Sequence, residues 1–345
     1  MKILIDIKHP AHVHFFKNFI KIMEGRGHKI LVTSREKDLT IHLLDKYGIA
    51  NVCISSIGKN KIELAKELFI RNKRFLKIAA EFMPDVLLGI MGITVAPTGR
   101  ILGIASIVFY DTEIASLTNF IAYTLCDKFI TPNCYRERLG RKNIRYNGYQ
   151  ELSYLHPNYF SPDPGVLKEL GLERNEKYVV MRFVSWRSSH DFDRKGINID
   201  TILYTVKKFQ KFGKIFITSE RDLPGILEKY RLHLAPEKIH SLIYYATLLY
   251  GESATMASEA AILGTYAIYL DDIGRGYTDE EEQKYNLVFN YSTQKKHKLE
   301  SMQKGIELLR DEDSKKEAQH KRERLLTDKI DVTNFMIEEV LKFKK

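Results

Sequence analysis

Cysteine is scarce: Cys53, Cys126 and Cys134 are the only three in 345 residues. They show neither a zinc-ligand pattern nor a pairable regularity, which points away from a disulfide scaffold and fits a reducing compartment. Tryptophan occurs once, at Trp186. Long apolar runs are also missing. The longest, 86–97, is broken by Gly89 and Gly92, and its partner, 101–110, is shorter still. A bilayer span needs about 20 apolar residues, so both read as buried strands and the helix between them. The chain passes from Met1 straight into a strand pattern, without the ordered charged, apolar and small-residue regions of a signal peptide, so none is expected. No helix-turn-helix, zinc-finger or RNA-binding signature is present. The expected location is the cytoplasm, including the inner face of its membrane.

What is present begins with charge. Hydrophobic residues make up 44% and charged residues 28%, so a folded chain is expected rather than a disordered one. The formal net charge is +10; residues 1–150 hold 23 Lys/Arg against 13 Asp/Glu, and residues 151–345 hold 31 of each. A basic half attracts polyanions: nucleic acid, phosphorylated metabolites or an anionic membrane face. With no nucleic-acid signature, no nucleic-acid partner is expected. The densest segment, 59–82, carries Lys59, Lys61, Lys66, Arg71, Lys73, Arg74 and Lys77. There Ala65, Leu68, Phe69, Phe75, Leu76, Ala79 and Phe82 follow helical spacing. Such a helix either packs on a core with a solvated face or contacts a membrane surface or lipid-linked acceptor.

The first half alternates in period. Strand patterns at 3–7, 29–33, 51–54, 85–90, 106–110 and 128–131 are separated by helical ones. That alternation predicts parallel strands joined by right-handed crossovers. Three of the nine prolines (Pro157, Pro162 and Pro164) then fall within eight residues, and a second alternating series starts at 178. The reading is a basic domain over 1–150, a second domain over 151–320 and a helical tail over 321–345 packing near the domain seam. Two open parallel sheets place ligand crevices at the carboxyl ends of their strands.

The most informative segment runs from Leu249 to Ile268: strand, turn at Gly251, helix with small residues at its start, then Gly264 and another strand. Small residues let backbone N–H groups approach an anion, and the helix N-terminus favours negative charge. The pattern fits either a phosphate-facing turn or a tight, well-packed βαβ unit. This segment resembles the donor-binding turn and helix of GT-B glycosyltransferases, including the enzyme that adds N-acetylglucosamine to lipid-linked peptidoglycan precursors. The resemblance implies that Ser253, Ala254, Thr255 and Met256 face the donor diphosphate and that Glu259 binds the ribose. Gly251 stands alone where those enzymes often have two or three glycines.

A wider resemblance covers most of the chain. Residues 6–16 (Asp6-Ile7-Lys8-His9-Pro10-Ala11-His12-Val13-His14-Phe15-Phe16), Gly27-His28 with Val32-Thr33-Ser34-Arg35-Glu36, Phe109-Tyr110-Asp111-Thr112-Glu113, and Arg182-Phe183-Val184-Ser185-Trp186 with Ser189-His190-Asp191 resemble a GT-B-like family of bacteria and archaea. That family is known only as a domain of unknown function, related in fold to nucleotide-sugar glycosyltransferases and UDP-N-acetylglucosamine 2-epimerase. It implies an α/β, GT-B-like fold: two Rossmann-like domains with parallel sheets facing across a cleft. It says less about the reaction, because function belongs to sites rather than folds.

Other candidates stand at predicted carboxyl ends of strands. His9, His12 and His14 follow the first strand; one of them could take a proton from an acceptor hydroxyl near neutral pH, with His12 preferred, or all three could be structural. No ligand set at zinc spacing accompanies them, and no metal is expected. Asp111 and Glu113 follow the fifth strand, to orient the base, to contact sugar hydroxyls or to cap a helix. Arg182, Ser185 and His190, with Arg187 and Lys195, surround the first turn of the second domain. A guanidinium there would stabilise a departing diphosphate. Arg275 follows the strand at 266–270 as a sugar-binding candidate. The leading expectation is a glycosyltransferase using a nucleotide-diphospho-sugar as substrate, without a cofactor. Its acceptor would be a lipid-linked molecule or polysaccharide, with peripheral membrane contact through 59–82. The alternatives are a nucleotide-sugar 2-epimerase, a polyol-phosphate transferase and a non-catalytic nucleotide-sugar-binding protein.

Overall fold

The computed structural model describes residues 1–113, 116–183, 199–219, 223 and 225–343. The chain divides into two compact units, Met1–Tyr159 with Lys329–Lys345, and Phe160–Asp328.

The first unit is built from β1 (Lys2–Ile7), α1 (Pro10–Gly25), β2 (Lys29–Glu36), α2 (Thr40–Lys46), β3 (Asn51–Ser56), α3 (Lys61–Phe82), β4 (Val86–Ile90), α4 (Val95–Leu102), β5 (Ala105–Phe109), α5 (Ser116–Leu125), β6 (Lys128–Pro132), β7 (Asn143–Tyr146) and the single turn α6 (Leu152–Leu155). Its seven strands pair in the order β3-β2-β1-β4-β5-β6-β7, every pair parallel. Ile3, Leu4, Ile5, Val86, Leu87 and Leu88 are fully buried, as strands covered on both faces require. The apolar runs 86–97 and 101–110 are accordingly β4, α4 and β5. Right-handed crossovers put α1 and α2 on one face and α3, α4 and α5 on the other, and the contacts within each group agree.

The second unit continues with α7 (Gly165–Glu169), β8 (Tyr178–Phe183), α8 (Ile199–Phe209), β9 (Lys214–Ser219), α9 (Gly225–Glu228), α10 (Ile239–Tyr245), β10 (Leu248–Gly251), α11 (Ala254–Leu263), β11 (Tyr266–Leu270), α12 (Gly276–Tyr285), β12 (Val288–Tyr291), α13 (Lys295–Arg310) and α14 (Ser314–Asp328). Its sheet, also parallel throughout, runs β12-β11-β10-β8-β9. The last helix, α15 (Val332–Leu341), returns to the first unit.

Two boundaries differ from those read in the sequence. The division falls after Tyr159 rather than after residue 150, and the tail 321–345 is split between the units. Side-chain chemistry explains both. Asp331 receives hydrogen bonds from Asn158 and Tyr159, while Thr333 Oγ1 donates to the Ser153 carbonyl at 2.7 Å. Val332, Met336, Ile337 and Val340 are buried, and α15 packs on α1 and α6. The buried side of α3 also differs from the expected apolar stripe. Phe75 and Ala79 are buried, but Phe69 is 74% exposed and Arg71 is buried in its place.

Candidate functional site

In the second unit, the carboxyl end of β10 is pressed against that of β8. Gly251 has φ 155°, and a Cβ there would stand 2.0 Å from the Arg182 carbonyl oxygen, so only glycine fits. The same oxygen accepts the Glu252 N–H at 2.9 Å. Ser253 is the N-cap of α11, its Oγ accepting the Met256 N–H at 3.3 Å. Thr255 and Met256 therefore lie in the first turn, where the backbone points its amides outward and the helix dipole is positive.

Glu259 follows one turn later, 5% exposed, with Oε1 2.9 Å from Nε2 of the equally buried His240 on α10. A carboxylate held this way has a set direction. Arg182 donates from Nη1 to Thr218 Oγ1 at 3.0 Å. Arg275, the N-cap of α12, turns its guanidinium back on its own loop, to the Gly274 carbonyl at 2.7 Å and Asp271 Oδ2 at 3.5 Å. Arg182, Ser253, Thr255, Met256, Glu259 and Arg275 thus lie at or just beyond the carboxyl ends of β8, β10 and β11, the three inner strands of a parallel sheet. Ser185 and His190 lie outside the described residues, as do Trp186, Arg187 and Lys195.

The first unit separates its candidates. Helix α1 begins at Pro10, so the histidines belong to its N-terminus rather than to a loop. His9 is the N-cap, with Nδ1 accepting the Ala11 N–H at 3.2 Å. His12 is buried, and its Nδ1 accepts the Lys8 N–H at 3.4 Å. Burial, then the neighbouring His9, Lys8, Arg71 and Lys37, hold its pKa well below the usual value. Neutral and with Nδ1 engaged, His12 carries its proton on Nε2 and presents a donor. That departs from the proton-accepting role the sequence suggested.

His14 points elsewhere. Its ring packs 5.3 Å from Tyr154 and 5.8 Å from Tyr47, which places it among α1, α2 and α6. Asp111 Oδ1 accepts the Thr112 hydroxyl at 2.9 Å, and Glu113 Oε1 accepts the Arg136 N–H at 3.3 Å. Asp111 adds to the burial that pushes Tyr110, Tyr135 and Tyr146 upward. The charged groups that act on His12 are all basic, so Asp111 and His12 do not form a base-and-orienter pair.

The family described as "Protein of unknown function (DUF354)" matches residues 1–341. The chain belongs to the DUF354 family. It is 26% identical over 277 residues to an uncharacterised protein of Methanocaldococcus jannaschii, a match covering 76% of this chain and 80% of that one. Its fold is GT-B. The UDP-GlcNAc 2-epimerase of Neisseria meningitidis bound to UDP-GlcNAc aligns over 99% of this chain and 100% of its own, with a TM-score of 0.68 and 11% identity. The S. aureus MnaA–UDP structure gives a TM-score of 0.70 at 11% identity, covering 99% and 96% of the two chains. Spinosyn rhamnosyltransferase SpnG complexed with spinosyn aglycone gives 0.63 at 12% identity over 98% and 100%.

In this DUF354 chain two groups of residues escaped the sequence reading. One is His240, which sits on a separate helix with no motif around it. The other is the grouping of Asp6, Lys8, Arg35, Glu67 and Arg71 at the carboxyl end of β1, of which the sequence showed all but Glu67 only as parts of the family resemblance or of the basic segment. Strand alternation, which puts Asp6 and Lys8 on one face, and the Glu67/Arg71 spacing on α3 were its available signals. Among the described residues no group of three or more His, Cys, Asp or Glu side chains is placed to hold a metal ion, and no helix is long and apolar enough to cross a membrane.

Proposed function

We propose that this chain is a glycosyltransferase that takes a sugar from a nucleotide-diphospho-sugar held by the second unit and passes it to an acceptor of surface polysaccharide or glycolipid biosynthesis. The observation that carries the reading is the α11 turn. Gly251 lets the backbone close, Ser253 caps the helix, and His240 orients the Glu259 carboxylate one turn along. Amides at a helix N-terminus suit a diphosphate, and a fixed carboxylate suits the vicinal hydroxyls of a ribose. In this reading Arg182 and Arg275, at the ends of β8 and β11, supply positive charge near the leaving nucleotide and the sugar.

A lipid-linked acceptor is supported by α3. Ile62 (69% exposed), Lys66, Phe69 (74% exposed) and Lys73 follow i, i+4, i+7, i+11 spacing and so share one outward face. Exposed apolar side chains interleaved with lysines suit peripheral contact with an anionic membrane through 59–82.

The test is a thermal-shift panel of UDP, GDP, CDP, dTDP and ADP with wild type and Glu259→Ala. A ligand at 100 times its Kd stabilises the fold by about 2.7 kcal/mol. One nucleotide should raise the melting temperature of wild type and lose that effect in the variant. If no nucleotide does so at millimolar concentration, the donor site and this reading fall together. Incubating the matching nucleotide-sugar without acceptor then addresses the epimerase alternative, in which an altered sugar appears still joined to its nucleotide.

A further inference from the structure

At the carboxyl end of β1 most charged side chains are paired, although Asp6 Oδ2 and Arg71 Nε, both buried, have no hydrogen-bond partner among the described residues. Arg71 reaches from α3 to place Nη2 2.5 Å from Asp6 Oδ1, and Thr33 Oγ1 donates to the same oxygen at 3.1 Å. Arg35 on β2 makes a two-pronged bond to Glu67, which also accepts the Ser55 hydroxyl at 2.8 Å. Lys37 pairs with Asp38 at 3.5 Å. Lys8 is left over: it is only 8% exposed, and among the described residues its Nζ has no hydrogen-bond or ion-pair partner.

Among the described residues the charged groups that act on Lys8 are Asp6, Arg71, Arg35 and Glu67, two of each sign, so the lysine is a surplus positive charge only when it is protonated. Among the described residues, those acting on His12 are His9, Lys8, Arg71 and Lys37, with no carboxylate among them. The first turn of α1, which starts at the same place, carries no acidic residue. Two donors, the Lys8 amine and the His12 Nε2–H, therefore belong to neighbouring residues that are both less than a tenth exposed, Lys8 at 8% and His12 at 7%. A buried cation is stable in the presence of an anionic partner, and an oxyanion is the complement of neighbouring hydrogen-bond donors.

We infer that the carboxyl end of β1 is a phosphate-recognition site of the first unit, in which Lys8 Nζ and His12 Nε2–H bind oxygens of a phosphoryl group carried by a substrate. Arg71 and Thr33 are positioning residues, because they hold Asp6 beside Lys8. Burial lowers the Lys8 amine to about 7, so above neutrality the empty site holds mainly the neutral amine. An arriving phosphate restores the charged form, and one proton passes from the buffer to Nζ. Binding is thus coupled to proton uptake. This site goes beyond the donor turn of the second unit, with which it shares no residue.

The probe is inorganic pyrophosphate, titrated calorimetrically slightly above neutral pH in two buffers of different ionisation enthalpy, into wild type, Lys8→Met and Lys8→Arg. Wild type should bind with net proton uptake. Lys8→Met, folded by circular dichroism, should bind at least about tenfold more weakly, as the loss of a charge-assisted hydrogen bond implies. Lys8→Arg keeps its charge at every pH and should bind with clearly less proton uptake than wild type, the remainder being that of pyrophosphate and His12. UDP, titrated in parallel, assigns the source: weakened UDP binding in Lys8→Met marks the phosphate as the donor's, and unchanged UDP binding marks it as the acceptor's. Glu259→Ala should leave the Lys8-dependent signal intact, which keeps a failure of the glycosyltransferase reading separate from a failure here. Pyrophosphate binding that is absent in wild type, undiminished in Lys8→Met, or as strongly proton-coupled in Lys8→Arg as in wild type overturns the site.

Discussion

A single buried lysine makes a thermodynamic statement about the fold. Lys8 has a pKa near 10.5 as a free side chain and about 7 in the folded protein, lowered chiefly by burial. Between these values the unfolded chain binds more protons than the native one, so stability rises with pH across that window. Below about 7 both states are protonated and the full burial penalty is felt; above 10.5 it is gone. The slope is at most about 1.4 kcal/mol per pH unit. Lys8→Met removes this contribution. In urea titrations its stability advantage over wild type, largest near neutrality, should shrink steadily towards pH 10; parallel pH curves would refute the assignment. At this same scale the chemistry was only partly legible. Ser253 and Glu259 were visible because capping residues and small residues follow a strand locally. The engagement of His12 Nδ1 by the Lys8 N–H depends on the first turn of α1 starting at Pro10, two residues after Lys8.

Among the elements, α11 is held at both ends. Gly264 ends it in a left-handed conformation, and α14 covers its last carbonyls with side chains from successive turns. Lys315 Nζ donates to Gly264 O at 2.9 Å, Gln319 Nε2 to Leu263 O at 2.9 Å, and Arg322 Nε to Ile262 O at 2.7 Å. Donors at a helix C-terminus satisfy orphan carbonyls and complement the dipole. Arg322→Ala should cost about 1–3 kcal/mol by chemical denaturation, because a partly buried carbonyl loses a charged donor. It should also weaken nucleotide binding at the other end of the helix, whereas Lys316→Ala, on the exposed side, should do neither. The elements themselves were readable where apolar runs were continuous: β8 and β11 have the bounds the pattern suggested. β7 was missed because it is four residues long, Asn-Ile-Arg-Tyr, with little apolar signal. α12, Gly276–Tyr285, was missed because its sequence is almost wholly polar.

For the whole molecule, the last helix belongs to the first unit while α14, just before it, belongs to the second. Val332, Met336 and Val340 are fully buried, and each such side chain is worth about 1.5–3 kcal/mol, a sum comparable to the 5–15 kcal/mol of a typical domain. A chain ending at Asp328 should therefore lose its first unit before its second. Limited proteolysis should digest residues 1–159 and leave a fragment close to 160–328; equal survival of both units would contradict the assignment of α15.

By itself, the sequence determined the alternation of strand and helix, the two α/β halves, the basic character of the first, and the turn that opens α11. These are local properties: apolar runs sized for buried parallel strands, caps within a few residues of the helices they start, and charge that can be counted. Tertiary structure decided which polar groups meet. Asp6 finds Arg71 from 65 residues away, Glu259 finds His240 from 19, and Ser153 finds Thr333 from 180. Those pairings, and the lowered pKa of Lys8, follow from how helices pack on the sheets, because burial and the distance between charges set a side chain's protonation and partners, and neither is written in spacing along the chain.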